Sequence, residues 1–201
     1  EVFMRGMREL GYVEGRNLVI EQRHADDHYD RLPALAQELL SWQPDVLLVS
    51  QTPAVLAVKA ASASVPIVMV SVSDPLGVGL IASLSRPGSN ITGITDIGVE
   101  LAGKRLEILK EVLPGVAKVA VLINPDIAHA PLQMSSLKPV ADKLGVQLDP
   151  ILHVRRADDL KRAFAAAVQA RAAAGLRMVD PTSSSLRTQT VALAAEHRLP
   201  V

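Results

Sequence analysis

The chain has 201 residues, 49% hydrophobic and 21% charged, with 21 basic residues balancing 21 acidic ones. This is the mix of a folded globular protein, long enough for one large domain or two small ones, and it excludes a disordered chain. Zero net charge without a basic stripe argues against a nucleic-acid binder, and the absence of cysteine excludes disulfides, thiolate metal sites and cysteine nucleophiles.

No apolar run approaches the roughly 18–20 residues needed to cross a bilayer. The apolar pattern instead alternates between helical and extended periods. Residues 2–10 (VFMRGMREL) have helical spacing and stop at Gly11, a suitable C-terminal cap. Residues 17–21 (NLVIE) predict a strand. A helix follows over 32–40, with Asp30 as its expected cap and Pro33 tolerated in the first turn. Residues 46–50 (VLLVS) predict a buried strand, 53–63 a helix, and 67–70 (IVMV) another strand. A short helix is expected over 76–84, then a strand over 90–95.

The pattern then restarts. Val99, Ala102, Leu106, Leu109 and Leu113 share one helical face, ended by Pro114 and Gly115. Strands are expected at 118–123 (KVAVLI), 146–152 and 176–179, with helices at 131–144, 158–174 and 186–196. Strands alternating with helices predict an α/β fold with doubly wound parallel sheets, helices on both faces in three αβα layers. The stretch 85–98 (SRPGSNITGITDIG) is rich in glycine, proline and small polar residues, and is the expected crossing between two lobes, 1–92 and 93–201. The chain opens within a helix and stops where a strand should begin, so both ends are expected to be cut, with a first strand and a C-terminal part missing.

In open α/β sheets, ligands bind beyond the carboxyl ends of the strands. Four strand ends share one pattern of hydrogen-bonding side chains followed by proline. These are Gln51 and Thr52 before Pro53, Ser73 and Asp74 before Pro75, Asn124 before Pro125, and Asp180 before Pro181 and Thr182. Each suits a helix cap, and free N–H groups at such helix starts also attract an anion. Four at matching strand ends, in both halves, point to a shared cleft. No G-x-G-x-x-G follows a strand and no G-x-x-x-x-G-K-[ST] occurs, so nucleotide binding is unsupported and no cofactor is expected.

A further set of motifs carries a resemblance. The run GMRELGYVEGRN at 6–17 resembles the opening of the ABC transporter substrate-binding family that includes tryptophan-binding, TrpX-like proteins. The likeness continues through YDRLP at 29–33, Thr52-Pro53, PIV at 66–68, SDPLG at 73–77, LSRPG at 84–88, NITG at 90–93 and GKRLE at 103–107. It covers nearly the whole chain and weakens after about residue 150. The resemblance implies a type I periplasmic-binding-protein architecture, two α/β lobes closing on a small solute such as an amino acid or related acid. It implies an extracytoplasmic or periplasmic receptor, not an enzyme, whose partners are the solute, an ABC permease and, through it, an ATPase. The membrane would be met only through the permease or a lost lipid anchor. Carried over by position, Gln51, Thr52, Ser73 and Asp74 would face the ligand from lobe one, and Asn124, Asp180 and Thr182 from lobe two. Asp180 would suit a ligand ammonium. His129 stands where relatives can carry a small amide side chain.

Other constellations are weaker. His24 and His28 are four residues apart, but the stretch is not H-E-x-x-H and reads as an exposed loop between strand and helix. No G-x-S-x-G elbow accompanies the serines at 183–185. Asp74 and Asp180 could serve an α/β enzyme as an acid/base pair, and the same fold also serves as the effector-sensing domain of a transcriptional repressor. Phe3, Tyr12, Tyr29, Trp42 and Phe164 fall on helices or their flanks, so the predicted cleft holds no aromatic stacking box.

Overall fold

The computed structural model describes residues 2–26 and 28–201. Two three-stranded parallel sheets organise it. The first has the order β1-β2-β3, from β1 (Leu47–Ser50), β2 (Ile67–Ser73) and β3 (Ile91–Asp96). The second has the order β5-β4-β6, from β4 (Lys118–Ile123), β5 (Gln147–His153) and β6 (Ala174–Arg177). Every pairing between these strands is parallel; helices make the crossovers from β1 to β2, β4 to β5 and β5 to β6, while β2 reaches β3 through turns.

Each sheet has its own core. Around the first, Leu47, Val49, Ile67, Met69 and Ile91 point to one face and meet Ala36 of α2 (Leu32–Ser41) with Val55 and Val58 of α3 (Thr52–Ala61). The other face of this sheet is more open, with Leu48 half exposed and Ile94 largely so. The second sheet is covered on both faces, as KVAVLI predicts, because five of its six residues are buried. Val119, Val121 and Ile123 pack on one side against α4 (Leu101–Val112) and α5 (Ala130–Leu144). Ala120 and Leu122 pack on the other against α6 (Ala157–Gln169) and α8 (Arg187–Glu196). Burying each large aliphatic side chain is worth about 1.5–3 kcal/mol, so these layers dominate the fold's stability.

Glycine permits the closest contacts. Gly103 lets α4 approach α5, since a Cβ there would lie 2.7 Å from Val140 Cγ2. At Gly93, in β3, φ is +140° and a Cβ would lie 2.0 Å from the Met69 carbonyl oxygen.

Several expectations need correction. Residues 17–21 form no strand. Asn17 is committed to a turn, its Oδ1 accepting from Val13 N at 2.7 Å and its Nδ2 donating to Gly11 O, and only an isolated Glu14–Leu18 bridge forms. Residues 76–84 are turns and bends, not a helix: Asp74 and Gly79 both take positive φ, +47° and +72°, which a continuous helix does not contain. Asp30 does not cap α2: it lies in a 3-10 turn, Tyr29–Arg31, and Arg31 holds the cap position with no side-chain bond. The helix expected over 158–174 ends at Gln169, and β2 runs on to Ser73 through an irregularity between Met69 and Val72. β3 stays paired with β2 as far as Asp96. The helix α1 (Val2–Glu9) buries none of its residues.

Candidate functional site

The carboxyl ends of both sheets meet at a cavity of about 100 Å³. From the first sheet it is lined by Gln51, Thr52, Ser71, Ser73 and Asp96. From the second come His129, Val179, Asp180, Pro181 and Ser184. Most of the lining residues have polar side chains, two of them carboxylates, and none among the described residues is lysine or arginine.

Backbone geometry on the first side is unusual. Gln51 follows β1 with φ 74° and ψ 146°, a region nearly reserved for glycine, and Ser71 and Asp74 also have positive φ. Such conformations cost of order 1–3 kcal/mol each and persist only where the surroundings impose them. Here the imposing contacts are visible. Gln51 N donates to Val70 O at 2.9 Å while Gln51 O accepts from Val55 N in the first turn of α3. Thr52 is not a helix cap; its Oγ1 turns to accept from Ser73 N at 3.1 Å. Ser73 Oγ in turn donates to Asp96 Oδ1 at 2.7 Å, and Gly98 N donates to the same oxygen at 2.9 Å. Thr52, Ser73 and Asp96 thus tie the ends of three neighbouring elements into one wall.

On the second side, Asp180 is a true cap. Its Oδ1 accepts from Ser183 N at 2.8 Å, and Ser183 Oγ accepts from Asp180 N, opening the short helix α7 (Pro181–Ser185). Burial pushes the Asp180 carboxyl above the ordinary carboxylate range, against the Ser183 N–H and the nearby Arg177 and His129. Arg177 supports the same turn by donating to Thr182 O at 3.2 Å and to Thr190 Oγ1, and burial lowers its own pKa. Gln133 holds Val179 by both backbone groups: Nε2 donates to its carbonyl at 2.7 Å and Oε1 accepts its N–H at 3.0 Å.

The seven residues singled out in the sequence therefore separate. Gln51, Thr52, Ser73 and Asp180 line the cavity. Asp74 lies outside that lining, its carboxylate bonded to Gly77 N, so it does not oppose Asp180 across the cavity as an acid/base pair would. Asn124 and Thr182 are buried behind the lining. There Asn124 Nδ2 donates to Thr182 Oγ1 at 3.4 Å, and Asn124 Oδ1 accepts from Asp126 N. Thr182 Oγ1 also bonds Tyr29 OH. Ser71, Asp96 and Ser184 line the cavity without having been singled out; Asp96 ends a strand that apolar patterning carries only to Thr95.

No group of three or more histidine, aspartate or glutamate side chains among the described residues is placed to hold a metal ion. The stretch from His24 to His28 includes Asp27, which lies outside the described residues. Among the described residues no helix is long and apolar enough to cross a membrane.

Comparison with known proteins agrees with the fold. A conserved domain protein from Vibrio cholerae matches 98% of this chain with a TM-score of 0.88 and 30% identity, the match covering 66% of that chain. An ABC domain from Streptococcus pneumoniae in complex with L-Trp matches 98% of this chain, at a TM-score of 0.83 and 22% identity, over 65% of its own length. A tyrosine-binding protein of Clostridioides difficile is 30% identical over 142 residues, which is 70% of this chain and 40% of the relative. The chain thus spans about two fifths of that relative and just under two thirds of the two solved structures. The profile of the family described as ABC transporter substrate binding protein matches residues 2–201. The chain belongs to that family.

Proposed function

We propose that this chain captures an amino acid or a closely similar small solute between its two lobes, outside the cytoplasm, and presents it to an ABC permease driven by its ATPase. The observation that carries the reading is the polar cavity where the strand ends of both sheets meet, with a buried carboxylate, Asp180, in its wall. A ligand contacting both lobes stabilises the closed arrangement over the open one by its differential affinity, and the permease reads the closed shape. The solute is bound and released without chemical change. The tyrosine-binding relative and the neighbour holding L-Trp support the amino-acid class.

The cavity, at about 100 Å³, is well below the roughly 300–1,000 Å³ usual for ligand pockets. It suits the charged head of an amino acid, with the side chain extending beyond it. Gln51, Thr52, Ser73 and Asp180 contact that head, while Asn124 and Thr182 brace the wall behind it. The passage between lobes falls at residues 97–100, at the end of the glycine- and proline-rich segment.

A thermal-shift screen against the twenty standard amino acids tests the reading. A binder at one hundred times its Kd stabilises the protein by about 2.7 kcal/mol. A flat response to every amino acid overturns the proposed solute class.

A further inference from the structure

His129 contributes something that capping and packing do not explain. It precedes α5, is only 2% exposed, and forms part of the cavity wall. Its Nε2 lies 3.1 Å from Val179 O. A carbonyl oxygen only accepts, so Nε2 must carry the hydrogen. The carbonyl cannot swing away, because Gln133 grips both backbone groups of Val179. The ring is thereby fixed in one tautomer, and a neutral imidazole so held presents a bare lone pair at Nδ1. That nitrogen is buried and has no hydrogen-bond partner among the described residues. Leaving a buried acceptor unpaired is costly, and proteins rarely do so without a reason. Asp180 shares the wall. Neither lysine nor arginine lines the cavity to supply a proton donor.

We infer that His129 Nδ1 accepts a hydrogen bond from the ammonium group of the bound solute, beside Asp180, so that the site selects solutes bearing a primary amine. This rests on the amino-acid reading above and adds a residue to it. Asp180 supplies charge, which any cation satisfies. His129 supplies a directional acceptor, which only a donor N–H at the right place satisfies.

The direct test is nitrogen-15 spectroscopy of the His129 ring in the unaltered protein, titrated with L-tyrosine and then with L-tryptophan. At saturation the Nδ1 signal moves from the position of a bare acceptor toward that of a hydrogen-bonded one, while Nε2 keeps its hydrogen. Calorimetry on His129→Phe accompanies it, with an expected loss of about 10- to 100-fold in affinity for the same amino acid. If the amino acid binds but the Nδ1 signal does not move, His129 has only a structural role or serves a bound water, and the inference fails while the amino-acid reading stands. If none of the twenty standard amino acids binds, both fall; if another one binds, the same titration is made with it.

Discussion

Tyr29 and Thr182 lie 153 positions apart in the sequence, and their hydroxyl oxygens are 2.9 Å apart. Tyr29 belongs to the turn that leads into α2, beside the first sheet, yet its ring packs against the core of the second. The bond therefore couples the two halves at the level of the buried threonine that braces the cavity. Tyr29→Phe keeps the ring and removes the hydroxyl. The expected cost is about 1 kcal/mol, a fall in Tm of about 2–4 °C for a chain of this size, read by thermal melting.

Gln133→Leu leaves the Val179 N–H buried without its side-chain acceptor. A loss of about 1–3 kcal/mol in stability follows, measurable by urea unfolding. Solute affinity falls with it, since Val179 precedes Asp180 and orients His129.

The Asp180 carboxyl is raised by burial, which fixes the sign of its pH effect. A raised folded-state pKa means that the folded chain holds the proton more tightly than the unfolded one. Asp180 then contributes stability that is complete below the unfolded carboxylate range near pH 4, and is lost as the pH rises through its folded pKa. Once ionised, the buried carboxylate burdens the empty protein. Asp180→Asn, whose amide oxygen can still cap Ser183, should therefore melt higher than the natural protein at pH 7, with the gap closing toward pH 4. The same variant should lose its thermal response to whichever amino acid shifts the natural protein. A variant that melts lower at pH 7 would contradict the assignment.

Gln51 is held where glycine is at ease. Gln51→Gly relieves that strain and should raise stability by about 1 kcal/mol, net of the extra freedom glycine brings to the unfolded chain. It also removes a side chain from the cavity wall, so solute affinity should fall. Opposite signs in melting and in calorimetry are the expected result; a gain or a loss in both would not fit.

Gly93→Ala is expected to be the most damaging small change. The added Cβ meets the Met69 backbone and the φ of +140° excludes side chains. A loss on the order of 3 kcal/mol or more follows, visible as a collapse of the melting transition or of soluble yield.

Much of the fold was legible because its signals are local. KVAVLI could only be a strand buried on both faces, and the glycines and prolines between periodic runs mark most turns. The errors arose where the backbone turns within an apolar stretch. Asn17 bends a stretch whose apolar residues suggest a strand, and the positive φ of Gly79 breaks the helix that Leu76, Leu80 and Ile81 suggest. The cleft was legible in outline, since strand ends in a parallel sheet share one edge. Its membership was less so. Ser71 and Asp96 lie beyond the apolar stretches that announce their strands, and nothing local tells Asp180, which lines the cavity, from Thr182 two residues on, which lies behind it. That distinction depends on which way the turn of α7 rotates, and so on Arg177 and Asn124 packing from elsewhere.

The cavity-lining residues sit at strand ends, on the turns that follow them or at the start of the next helix, while most residues that bury the two cores sit on the strands and helices themselves. Substitutions that alter what is captured can therefore accumulate in those turns without touching the packing that keeps each half folded. Descendants of such a chain can change diet while keeping their skeleton.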